Sequence, residues 1–266
     1  MCANIPSFSA SFLDELIEKL DDAKTIGILL TGSFARGDET QYSDMDLIRF
    51  MTELPREEAE RYTLAHVYDH LVSITTTTIA AKRNEMARPE EAIWAVPGLR
   101  QARLLLDKGG SLEKLRQEAT AFSWAPLQKA ADEYASYTTM GDAEEVHKIL
   151  GALSRRDEHA ALYGTLGLML GLTRAMAVQR GLMIQSENSY FRQVQEAAGL
   201  DSPWTRYHRL VAGFERGPED FGLVEGRARA GLRLYEETIS LLRDVLRPEH
   251  MQIITETLAL IRRLGY

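Results

Sequence analysis

Residues 29–50, "LLTGSFARGDETQYSDMDLIRF", put Gly32-Ser33 at the end of one apolar run and Asp44 and Asp46, one residue apart, in the next. Where a strand passes into a short helical turn, backbone N–H groups and a hydroxyl can receive a phosphate, and a glycine lets it come close. Side chains alternate faces along a strand, so Asp44 and Asp46 are expected on one side, about 7 Å apart along the backbone. Two hard carboxylates on one face suit Mg²⁺, which in turn takes phosphate oxygens. Two such ions, roughly 3.5 to 4 Å apart, would lower the pKa of an attacking hydroxyl, neutralise a nucleoside triphosphate and stabilise departing pyrophosphate. Arg36 adds a permanently charged fork for the outer phosphates. Ser43 is placed to orient Asp44 or to touch phosphate. The chemistry suggested is transfer of a nucleoside monophosphate. A Walker-type loop is not the source of the signal, because no lysine follows the glycines at the required place.

The pattern Gly32-Ser33-x-x-Arg36-Gly37, then Ser43-Asp44-x-Asp46-Leu47, resembles the signature of the nucleotidyltransferase superfamily that shares the DNA polymerase β core. Within that superfamily the chain is most similar to the antibiotic nucleotidyltransferases of the kanamycin type. These join an α/β catalytic domain to a C-terminal helical bundle. "ARLLLDKGGSLEKLRQEA" resembles their passage from the last catalytic strand, through an Asp and a glycine turn, into the first bundle helix. The resemblance implies Mg²⁺ held by Asp44 and Asp46, with ATP as co-substrate on Gly32, Ser33, Arg36 and Ser43. It also implies a bundle glutamate acting as general base and a lysine one turn later contacting the nucleotide. Glu144 and Lys148 in "DAEEVHKIL" stand at i and i+4 and match those places. Glu145 shares a face with Lys148 too, and an ordinary surface ion pair is equally consistent. A carboxylate there would take the proton of an acceptor hydroxyl as it attacks phosphorus.

One departure bears on the metals. Such enzymes commonly carry a third acid on the strand after the Asp-x-Asp pair, whereas "LVSITTTTIAA" offers threonines, so the number of metals stays open between one and two. The implied acceptor is a small cationic molecule such as an aminoglycoside. Nucleotidylation of a protein partner, as in antitoxin-type members, and a nucleotide-binding regulator with decayed catalysis remain as alternatives. A homodimer is implied because kanamycin-type enzymes build their cleft between two chains.

The elements that must position these residues follow from periodicity. Phe8, Phe12, Leu13, Leu16, Ile17 and Leu20 predict a first helix with Ser11 as its cap. "TIGILLTG" and "DMDLIRFM" predict neighbouring buried strands. The charged segment 56–71 reads as a helix, "LVSITTTTIA" as a third strand and "LRQARLLLD" as a fourth. From Ser111 on, helical periodicity takes over, with expected helices at 111–121, 126–139, 142–153, 157–181, 188–198, 203–214, 225–246 and 248–264. The expected architecture is an α+β catalytic domain over 1–110, a mixed sheet with flanking helices, followed by an all-α bundle over 111–266. "YGTLGLMLGLTRAMAV", with glycines at 164, 167 and 171, suits a central bundle helix closely packed by neighbours.

Composition is compatible with this reading. The 266 residues are 45% hydrophobic and 26% charged, enough for a sizeable core. No transmembrane run or signal peptide is read, so a cytoplasmic location is expected and no membrane partner. Cys2 is the only cysteine, which excludes an internal disulfide. A net charge of −8 disfavours nucleic acid as a partner and suits a cationic substrate. Asp107 at a strand end reads as structural, and Glu187 as part of a helix cap with Ser186 and Asn188. The scattered histidines share no metal-ligand spacing, and Trp94, Trp124 and Trp204 read as packing residues.

Overall fold

The computed structural model describes residues 10–216 and 222–266. Cys2, Phe8, the Gly217-Pro218 break and the side chain of Ser11 lie outside the described residues. The chain divides into two compact units, Met1–Ser123 and Trp124–Tyr266.

In the first unit, α1 (Ala10–Leu20) leads into β1 (Thr25–Thr31), a single turn-and-a-half α2 (Gly32–Arg36) and β2 (Met45–Met51). The hairpin β3 (Tyr62–Val67) and β4 (His70–Thr77) follows, then α3 (Ile79–Met86), α4 (Pro89–Gln101), β5 (Arg103–Asp107) and α5 (Ser111–Thr120). The five strands form one mixed sheet in the order β3-β4-β2-β1-β5. β2 and β4 run parallel, and the other neighbours are antiparallel. Ile28, Leu30, Met45, Leu47 and Val72 point from the central strands into a core completed by Phe12 and Leu16 of α1 and Phe34 of α2. Burying these side chains is what fixes the ends of β1 and β2, and with them the residues of the glycine turn and the acidic pair.

Two expectations change here. Residues 56–71 form not a helix but one short 3₁₀ turn, Glu58–Glu60, and the edge strand β3. Residues 62–66 are exposed on both faces, so the strand leaves no period-2 burial pattern in its sequence, and pairing with β4 decides its state. The helix at 111, with which the expected bundle opens, packs through Leu112, Leu115 and Ala119 in the first unit, where it meets α3, α4 and β5.

The second unit is helical: α6 (Gln128–Gly141), α7 (Ala143–Arg155), α8 (Glu158–Gln179), α9 (Tyr190–Ala198), α10 (Pro203–Ala212), α11 (Leu223–Leu241) and α12 (Pro248–Arg263). All lie close to their expected spans. α8 is the central helix and packs against α6, α7 and α11. Among the described residues it is also the one helix long and apolar enough to cross a membrane, but 61% of its apolar window is buried in the protein. Tyr163, Leu166 and Leu170 remain exposed, so it is not enclosed on every side.

Candidate active site

Three residues stand abreast across the middle of the sheet. Thr31 of β1 pairs with Asp46 of β2, and Asp46 pairs with Ser73 of β4. Thr31 Oγ1 donates to the Asp46 carbonyl (3.3 Å), and Ser73 Oγ donates to Asp46 Oδ1 (2.6 Å). Immediately after Thr31 the chain turns at Gly32, whose φ of +67° favours glycine. A Cβ there would lie 2.2 Å from Asp46 Oδ2. The glycine is therefore required twice, by its backbone angle and by the carboxylate beside it. Ser33 follows, half-buried, in the first turn of α2, which ends at Gly37 in the left-handed region.

Asp44 directly precedes β2. Burial alternates along this stretch: Asp44 and Asp46 are half-buried while Met45 and Leu47 are in the core. The two acids thus lie on the accessible side of the strand, as the spacing predicts. Their hard oxygen donors fit Mg²⁺. Among the described residues, however, no group of three or more His, Cys, Asp or Glu side chains is gathered for a metal. The neighbouring strand, β4, presents Ser73 to Asp46. Sequence reasoning passed over Ser73 because only the register of β2 against β4 singles it out from its hydroxyl-bearing neighbours.

Arg36 and Ser43 have partners of their own. Arg36 grips Asp38 with two prongs, Nε to Oδ2 and Nη2 to Oδ1, both at 3.1 Å. Ser43 Oγ accepts from the Thr40 backbone N–H (2.9 Å) and so closes the loop ahead of Asp44.

Glu144 and Lys148 lie on α7 in the second unit. Lys148 Nζ is paired with Glu145 Oε1 (2.5 Å), which raises the Lys148 pKa, and Glu144 is exposed. The i to i+3 pair has formed rather than the i to i+4 pair. One turn earlier, Asp142 is tucked against α8, where a Cβ on Gly171 would come within 2.5 Å of its Oδ1. Burial, helped by the charge of Glu145, pushes the Asp142 carboxyl up to about 7. Asp142 Oδ2, Glu145 Oε2 and the hydroxyl of Tyr235 are buried without hydrogen-bond partners among the described residues.

Several residues set aside on sequence grounds prove to be structural. Asp107 accepts the backbone N–H groups of Ser111, Leu112 and Glu113 at 3.0–3.1 Å and so caps α5. Ser186 accepts from the Asn188 N–H. Trp204 is fully buried, donates to Thr238 and stacks on His208. His208, held between Thr173 and Gln195, is lowered by burial to about 4.

Residues 12–87, which carry the glycine turn and the acidic pair, match the family model "Nucleotidyltransferase domain". That match covers less than half of the chain. The chain is also similar to the crystal structure of a nucleotidyltransferase-like protein from Exiguobacterium sibiricum 255-15, with a TM-score of 0.52 at 14% identity over 88% of this chain and 75% of that one. At that identity the likeness speaks for the fold. No curated protein matches the chain.

Proposed function

We propose that the protein transfers AMP from Mg-ATP to a hydroxyl of a small cationic acceptor, of the kind that kanamycin-type enzymes modify. The observation that carries this reading is the apposition of the Gly32 turn and the Asp46 carboxylate within the segment matching the nucleotidyltransferase domain. Gly32 and Ser33 offer backbone and hydroxyl donors to the phosphates, and Arg36 offers its guanidinium in exchange for Asp38. Asp44 and Asp46 would hold Mg²⁺. When bound, it supplies charge neutralisation for the triphosphate and lowers the pKa of the attacking hydroxyl. The acceptor oxygen forms its bond to the α-phosphorus, the bond to the bridging oxygen breaks, and pyrophosphate leaves. The acceptor proton passes to a carboxylate base, and Glu144 is our candidate. Lys148, paired with Glu145, is our candidate for the nucleotide-contacting lysine. The charge of −8 favours a cationic acceptor.

A second reading, nucleotide binding without turnover, draws support from one observation: no third carboxylate joins Asp44 and Asp46 among the described residues. Titrating Mg-ATP and then screening aminoglycosides and lincosamides for pyrophosphate release separates the two. Drug-dependent release supports transfer, tight binding without release supports the regulator, and absence of nucleotide binding defeats both.

A further inference from the structure

We propose that Ser73 is a positioning residue for the nucleotidyl-transfer site, fixing the Asp46 carboxylate in the orientation in which it meets a divalent cation. The inference rests on the reading above for the role of Asp46. It goes further in assigning a task to a serine on the neighbouring strand.

The argument starts from the freedom of an aspartate. Rotation about its terminal sp³–sp² bond is broad and roughly two-fold, so an unsupported carboxylate samples many orientations and loses them on coordinating a metal. Asp46 is supported from both sides. On the β4 side, Ser73 Oγ donates to Oδ1 at 2.6 Å, the short length expected of a hydroxyl on an ionised acceptor. On the β1 side, Oδ2 lies beside Gly32, so close that a Cβ at position 32 would have to displace it. Because β2 and β4 run parallel in register at this pair, the hydroxyl is held abreast of the carboxylate by the sheet itself. Ser73 is only 5% exposed, so water competes poorly for the bond. Groups that orient a metal ligand in this way commonly change metal affinity by about 10-fold to 100-fold when removed.

A serine buried in a strand can also be merely a packing residue, and the test must tell the two apart. Thr and Val have nearly the same shape and differ in the hydroxyl, so Ser73→Thr and Ser73→Val impose the same steric load. Titration of the full chain with Mn²⁺, in the presence of a nonhydrolysable ATP analogue and followed by the electron paramagnetic resonance of the free ion, reads affinity directly. We expect Ser73→Val and Ser73→Ala to bind Mn²⁺ about 10-fold or more weakly than the parent. Ser73→Thr should stay close to the parent, with melting temperatures of Thr and Val variants alike. Equal affinities in the Thr and Val variants, or unchanged affinity in Ser73→Ala, overturn the proposal. If Asp44→Ala abolishes Mn²⁺ binding while Ser73→Ala retains it, the nucleotidyl-transfer reading stands and the role of Ser73 falls. If the parent protein binds no Mn²⁺ with the analogue, both fall.

Discussion

Gly32 and Asp46 are packed so closely that a single methyl group on the glycine would meet the carboxylate at 2.2 Å. Both this contact and the positive φ penalise any side chain at position 32, the backbone angle alone by about 1–2 kcal/mol. Gly32→Ala is expected to lower the urea midpoint modestly and to cut acceptor-dependent pyrophosphate release about 100-fold, as displacement of the carboxylate spoils its geometry. Turnover near the parent level in that variant would show that the apposition has no part in the chemistry.

The Arg36–Asp38 fork predicts a competition. Asp38 is well exposed, and such a pair contributes at most about 1 kcal/mol to stability. Asp38→Asn should therefore leave the melting temperature nearly unchanged while lowering the KM for nucleotide by up to about fivefold, that same ~1 kcal/mol in binding. Arg36→Ala should raise it. A KM indifferent to both substitutions would remove Arg36 from the phosphate site.

Asp107 tests the attachment of α5. Its carboxylate satisfies three N–H groups of the first turn, so Asp107→Ala leaves them without their acceptor and should destabilise the protein by about 1–2 kcal/mol. Denaturant unfolding followed through the first unit measures this. A change below a few tenths of a kcal/mol would mean that water replaces the cap without loss.

Asp142 gives the bundle a pH dependence with a definite sign. Its pKa is raised from 3.8 to about 7, so between those values the folded state holds a proton that the unfolded state releases. Its contribution to stability is therefore full below pH 3.8 and is lost as pH rises from there through about 7. Asp142→Asn should flatten this slope and gain on the order of a few kcal/mol at pH 8, with little change at pH 4. Urea titrations at the two pH values provide the check, and a parallel loss in both proteins would place the cause elsewhere. His208 acts oppositely: lowered to about 4, it supports the fold above pH 6.5 and withdraws that support as pH falls toward 4.

Much of this molecule was readable without coordinates. The placement of Gly32, Ser33, Asp44 and Asp46 was legible because it depends on local backbone: a turn after a strand and an alternation within one. The helices from α6 to α12 were legible because they bury residues at helical spacing and several end at a glycine, among them α6, α9 and α10. β3 was not, since an edge strand exposed on both faces carries no burial pattern, and its charged flanks imitate a helix. Glu145 rather than Glu144 took Lys148, since helical spacing brings both i+3 and i+4 within reach and does not choose between them.

By itself, then, the chain determined where the glycine turn and the acidic pair lie, because those depend on neighbours a few residues away. Tertiary structure alone decided that Ser73, 27 residues from Asp46, clasps its carboxylate, and that Asp142 is buried deeply enough to hold a proton near neutrality. Strand register and helix contact are set by the packing of whole elements, and no local spacing encodes them.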